Sequence, residues 1–256
     1  MPDQRAAGPG PAQLRLLGEF RLELSDVHIR LPASSQRLLA FLALRGPVAR
    51  SAAAWTLWAD VVETKALGSL RTAMWRANRR IPGVVVAEQS RLSLPAFLHV
   101  DVAESVTLAT RLLSADRSDQ GWEHGDLDGV AAVLQRAGAD LLPGWYDDWV
   151  CAERERWRQL RVHALEAAAA RWAVEGRHAL ALDVALEAVR CNPLRESAHR
   201  AVIAVHLAEG NLVEAMRSFQ RYRDLLVAEL GLQPSAELAA MVGHPRQVRL
   251  ATEPFR

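Results

Sequence analysis

Every stretch that alternates apolar and polar residues in the manner of a strand lies before about Val102; beyond it the chain reads as helix alone. A chain divided in this way is expected to fold as a mixed α+β unit followed by an all-α one. In the first part, LRLLGEFRLELSDVHIRL reads as short strands over Leu14 to Leu17, Phe20 to Leu24 and His28 to Leu31, with a turn at Ser25-Asp26. Ser34 or Ser35 then caps a helix whose Leu38, Leu39, Phe41 and Leu42 form an apolar stripe, and Gly46-Pro47 ends it. Ser51 caps a second helix carrying Trp55, Leu57 and Trp58. A polar link, Ala59 to Thr64, leads to a third helix from about Lys65 to Arg80, stopped by Pro82-Gly83. Two strands follow, Val84 to Val86 and Arg91 to Leu94, joined at Glu88-Gln89-Ser90. Three strands, three helices and a terminal hairpin are the order of a winged helix-turn-helix, expected over residues 13–99 behind a disordered Pro/Gly tail at 1–12.

The second part, residues 100–243, is expected to be helical, with a short tail at 244–256. A helix over Val102 to Leu113 is separated by a polar loop, SADRSDQGWEHGD, from another over Leu127 to Leu142. Beyond Pro143-Gly144 a repeat emerges: Gly176 and Gly210, Ala181 and Ala215, Ala185 and Phe219, and Ala188 and Tyr222 are each 34 residues apart. That is the period of tetratricopeptide helix pairs, and Pro193 and Pro234 after the second helix of each pair fit it. The two parts also differ in charge. Residues 1 to 100 hold thirteen Lys or Arg against seven Asp or Glu, a net +6, while the remainder, with eighteen against twenty-three, is −5. Only the first part suits a polyanion.

The candidate binding element is SLRTAMWRANRRI, residues 69 to 81. Leu70, Met74, Ala77 and Ile81 fall at helical spacing as a buried seam. Arg71, Thr72, Trp75, Arg76 and Arg79 share the opposite side, Arg80 adjoins them, and the stretch contains no carboxylate. A solvated helix face ordinarily mixes signs for pairing, so the pattern points to phosphates and base edges in a DNA groove. Trp75 either meets DNA or packs on the hairpin; Arg91, in the hairpin loop, is placed for a flanking phosphate or the minor groove.

Catalytic constellations are scarce: no G-x-x-x-x-G-K-[ST], G-x-G-x-x-G, G-x-S-x-G or H-E-x-x-H appears. Asp147 and Asp148 are adjacent and suit a helix start, not a dyad. His199 and His206 lack a third ligand and are expected at the surface or in a groove, and Cys151 and Cys191 as buried or semi-buried thiols. An enzyme, a metal site and a cofactor are not expected. Nor are a signal peptide or a membrane span, so the protein is expected in the cytoplasm.

At this point the chain resembles the Streptomyces antibiotic regulatory proteins (SARP) over nearly its whole length. LRLLGEFRLEL resembles the family's opening strands, SSQRLLAFLALRG its first helix, TLWAD the end of its second and SLRTAMWRANRRI its recognition helix. LLPGWYDDWVCAERERWRQLRVHALEAAA and EAMRSFQRYRDLLVAELGLQPSAEL resemble the bacterial transcriptional activator domain that follows. The resemblance implies an OmpR-type winged helix on double-stranded DNA, binding direct repeats as a dimer or tandem copies and activating antibiotic or other secondary-metabolite genes. It implies RNA polymerase as a partner, through its sigma factor and other subunits, faced by the loop residues Asp60, Val61, Val62, Glu63 and Thr64. It places Arg71, Thr72, Trp75, Arg76 and Arg79 on DNA and Arg91 on the wing. The chain departs from the family at Asn78, where a basic residue is common, and at Gly68, which weakens the helix start by about 1 kcal/mol relative to Ala. Larger members carry an ATPase region, and none is expected here. The alternatives left open by the residues are a helical-repeat interaction adaptor and a ligand-gated repressor.

Overall fold

The computed structural model describes residues 11–114 and 140–243. The chain forms two compact units, the first taking in residues up to 107 together with 137–157, the second the remainder. In the first unit, β1 (Ala12–Arg15), β2 (Arg21–Leu24) and β3 (Val27–His28) are followed by α1 (Ala33–Arg45), β4 (Val48–Ala49), α2 (Arg50–Leu57) and α3 (Glu63–Arg80). Then come β5 (Val86–Glu88), β6 (Arg91–Ser93), β7 (Leu98–Val100) and the start of α4 (Asp101–Ser114). The strands make two sheets, ordered β3-β2-β1-β7 and β4-β6-β5, with β1 antiparallel to β2 and parallel to β7.

Local chemistry explains most of these elements. Leu14, Leu16 and Leu22 alternate into the core from β1 and β2, and Ser25 and Asp26 turn the chain with φ of 48° and 64°, the positive values a two-residue hairpin needs. Leu38, Leu39, Phe41 and Leu42 of α1 are buried as their spacing requires. Neither Ser34 nor Ser35 caps that helix: the cap position is Pro32, and Ser35 instead is buried and donates its hydroxyl to the Ala73 carbonyl at 2.9 Å, tying α1 to α3. Ala49, not Ser51, stands at the cap position of α2. The first strand starts at Ala12, a buried residue, where a tail was expected. The hairpin strands lie at 86–88 and 91–93 because Val84 and Val85 are buried ahead of the hairpin.

A second stretch of chain completes this unit. Leu142 N donates to Leu16 O and Gly18 N to Asp140 O, both at 2.9 Å, while Leu17 and Leu141 form an antiparallel bridge. Arg154 then gathers the carbonyls of Leu141, Leu142 and Trp145 at 2.7–3.0 Å. Phe20 stacks on Trp145 with ring centroids 6.1 Å apart, and Phe41 meets Trp149 edge-on at 5.3 Å. Arg37 pairs with Asp147, and Arg45 with Glu153 at 2.9 Å. Most of the helix expected over Leu127 to Leu142, and the loop before it, lie outside the described residues; its last residues, 140–142, are not helical, Leu141 forming a bridge and Leu142 a bend with φ of 46°. The tail at 244–256 lies outside them too, as does the first tail up to residue 10.

The second unit is built from α5 (Asp148–Val174) beyond Trp157, α6 (His178–Cys191), α7 (Glu196–Ala208), α8 (Leu212–Leu230) and α9 (Ala236–Gly243). The 34-residue pairs occupy equivalent places. Gly176 and Gly210 follow α5 and α7 with φ of 75° and 83°; Ala181 and Ala215 are fully buried; Ala188 and Tyr222 are buried as well. This is a tetratricopeptide-like stack, small residues letting successive helices approach. His206 is buried, contrary to expectation, and Cys151 is exposed, also contrary to expectation.

His199 is half-buried, its ring 4.2 Å from that of Tyr222 and its Nε2 2.8 Å from the Pro193 carbonyl. Burial lowers its pKa from the ordinary 6.5, with the Pro193 carbonyl acting in the opposite sense. The unfolded chain therefore takes up this proton first, so the second unit should lose stability as pH falls below about 6.5. Glu196 moves differently. Burial acts to raise its pKa, but the Ser235 hydroxyl and amide and Arg200 outweigh this and lower it, so its stabilisation is lost only further into acid. Unfolding midpoints measured between pH 7 and 5 should slope for the wild type and flatten in His199→Phe, which keeps a ring against Tyr222.

Candidate nucleic-acid interface

Helix α3 is amphipathic in an unusual sense, with an apolar face and a face of cations. Ala66, Leu70, Ala73, Met74 and Ala77 are buried, as is Ile81 just past its end. Arg71, Thr72, Trp75, Arg76, Arg79 and Arg80 are all exposed. Among the described residues no carboxylate pairs with Arg71, Arg76, Arg79 or Arg80. Trp75 does not pack on the hairpin: it is 59% exposed, and the Arg79 guanidinium carbon lies 5.2 Å from its ring centroid. The Thr72 hydroxyl donates to the Gly68 carbonyl at 3.1 Å, which spends its proton within the helix and leaves its oxygen as an acceptor.

The helix begins at Glu63, so Glu63 and Thr64 form its first turn and are not loop residues. Glu63 also gives the helix one carboxylate, two turns from Arg71, at the end where the helix dipole favours it. Asp60, Val61 and Val62 remain in the link and are exposed, Val62 by 65%. Exposed Trp55 stands on α2 nearby in sequence.

The residue that sequence reasoning missed is Asn78. Its Nδ2 donates to Val85 O at 3.0 Å and its Oδ1 accepts from Val85 N at 2.9 Å. This two-point pairing fastens the last turn of α3 to the entry of the β5–β6 hairpin. The departure from a basic residue at this place was the available signal, because an amide offers both a donor and an acceptor and a cation offers no acceptor. Arg91 is not at the hairpin tip but in β6, where it faces Ala49 of β4; its Nη2 donates to the Pro47 carbonyl at 2.6 Å. The tip is Gln89-Ser90, and the Ser90 carbonyl accepts from Arg50 N at 2.8 Å, so the wing is tied to the start of α2. Among the described residues, no group of His, Cys, Asp or Glu is arranged to hold a metal ion, and no helix is long and apolar enough to cross a membrane.

Residues 107–244, more than half of the chain, match the bacterial transcriptional activator domain. The chain belongs to this family. It is 26% identical over 253 residues to the regulatory protein AfsR of Streptomyces coelicolor, a match that covers 91% of this chain but spans only 25% of that relative. Its fold is that of Mycobacterium tuberculosis EmbR, solved in complex with a low-affinity phosphopeptide: TM-score 0.73 and 18% identity, over 96% of this chain and 66% of that one. The chain thus carries the activator domain of bacterial transcription regulators and, in its match to AfsR, resembles the Streptomyces antibiotic regulatory type. Its small-sheet unit and helical unit correspond to the winged helix and tetratricopeptide-like fold of that neighbour.

Proposed function

We propose that this regulator binds duplex DNA sequence-specifically by laying α3 in the major groove, and that it activates transcription. The observation that carries the reading is the exposed face of α3, where four arginines without carboxylate partners among the described residues stand opposite a buried seam. Arg71, Arg76, Arg79 and Arg80 supply phosphate and base contacts, Thr72 and Trp75 contact base edges, and Arg91, with donors to spare beyond Pro47, reaches a flanking phosphate. Residues 13–99 carry the DNA, and residues 100–243 set the spacing of adjacent copies on direct repeats. The link Asp60–Val62 with Glu63 and Thr64 faces RNA polymerase. The regulated genes, by likeness to AfsR and its kind, are those of a secondary-metabolite cluster, and the protein acts in the cytoplasm.

The test is the salt dependence of binding. Each phosphate neutralised releases counterions, so the logarithm of affinity should fall against the logarithm of salt with a slope of about 0.9 per phosphate contact. A slope near zero would remove the DNA reading. A steep slope for the wild type that falls by about one contact in Arg80→Ala supports it.

A further inference from the structure

Arg79 differs from the other arginines of α3 in having a neighbour that holds it. It lies four residues after Trp75, one turn along the same face, and its guanidinium sits 5.2 Å from the indole centroid. The attraction between a guanidinium and an aromatic ring restricts the Arg79 rotamers before any ligand arrives. Arg71, Arg76 and Arg80 show no such ring contact among the described residues. A restrained guanidinium loses less freedom on binding, and its planar fork matches the O6 and N7 acceptors of guanine. The indole beside it is the large apolar surface of this face, 59% exposed, and the apolar feature of the major groove is the thymine methyl. Their separation exceeds one base-pair rise, about 3.4 Å, and falls short of two, so the ring and the guanidinium reach neighbouring base pairs.

We infer that Trp75 and Arg79 act as one reading unit for a thymine and a guanine on adjacent base pairs, Arg79 pairing with guanine while Trp75 covers the thymine methyl. The inference rests on the DNA-binding reading above and goes beyond it by naming the bases. It assigns the two other mid-helix arginines, Arg71 and Arg76, to separate contacts.

The test uses the full chain and the duplex site it retains from a random pool. Two chemical changes are made in that site: thymine to deoxyuridine, which removes only the methyl, and guanine to 7-deazaguanine, which removes only N7. Wild-type protein should bind the deoxyuridine site about fourfold more weakly, the worth of one methyl removed from water. It should also bind the 7-deaza site more weakly, within roughly the 5- to 150-fold of a bidentate guanine contact. Trp75→Ala should bind the thymine and deoxyuridine sites equally, Arg79→Ala should bind the guanine and 7-deazaguanine sites equally, and Trp75→Phe should keep part of the methyl preference. Both side chains lie on an exposed face, and unchanged melting curves of the three variants exclude misfolding as the cause. A wild type indifferent to the methyl, or a Trp75→Ala protein as sensitive to it as the wild type, overturns the inference while leaving DNA binding in place. If the wild type retains no sequence above background, the DNA-binding reading falls and this inference falls with it.

Discussion

Arg76→Ala is expected to weaken binding to a specific site by about 1–3 kcal/mol, roughly 5- to 150-fold, and to leave the folded protein as stable as before. The two halves of that expectation have separate causes. Arg76 is exposed on α3, two residues after the buried Met74 and one before the buried Ala77, and it has no carboxylate partner among the described residues, so its truncation opens no cavity and strands no charge. Exposed substitutions of this kind stay within about 0.5 kcal/mol of neutral. The binding loss is large only if the guanidinium makes a bidentate contact to a base edge, and random DNA should then lose much less than the specific site. Equal losses on both would assign Arg76 to a phosphate.

The second large effect is on stability. Asp101 opens α4 but works for β1: its carboxylate accepts from Leu16 N at 2.9 Å and from Leu17 N at 3.0 Å, while Val102 N lies 2.7 Å from it. Burial pushes its pKa above the ordinary 3.8, against the pull of these three amides and of Arg15. Asp101→Ala would leave the Leu16 amide, in a fully buried residue, and the Leu17 amide without an acceptor. At about 1–3 kcal/mol for each of the two stranded donors, the first unit should lose roughly 2–6 kcal/mol. Its thermal transition should fall by about 2–8 °C per kcal/mol. Asp101→Asn keeps one acceptor oxygen and sheds the charge that burial disfavours, so it should lose less than half as much. An unchanged transition in Asp101→Ala would show that water replaces the carboxylate at no cost, and that the link from β1 to α4 is not a support of the unit.

Much of this architecture was legible because it is written in short-range periodicity. The apolar stripe of α1, the seam of α3 with the basic face behind it, and the 34-residue spacing of Gly176 and Gly210 all follow from residues a turn or one repeat apart. What escaped is long-range. Strand β7 is three residues long and pairs in parallel with β1, some 85 residues earlier, so no local alternation marks it. The same holds for Leu141, which bridges to Leu17, and for Trp145 and Trp149, which cover Phe20 and Phe41 from far along the chain. A division at residue 99 or 100 therefore separates the sheet unit from side chains that pack on it. The serine readings failed for another reason. Ser35 has the type of a helix cap but its hydroxyl serves a tertiary bond to α3, a choice that only the folded chain can make. Within the candidate site, the exposed cations and Trp75 were readable from helical phase, whereas the pairing of Asn78 with Val85 depends on how the hairpin returns to the helix.

The central claim is that the cations of α3 read DNA sequence, and affinity selection tests it most directly. Full-length protein would be offered random duplexes at near-physiological salt, and the retained DNA sequenced, in parallel for wild type and Arg76→Ala. The account predicts enrichment of a direct repeat with copies spaced by about one helical turn, lost in the variant. Retention of no sequence above background, or an identical repeat enriched by both proteins, would contradict it.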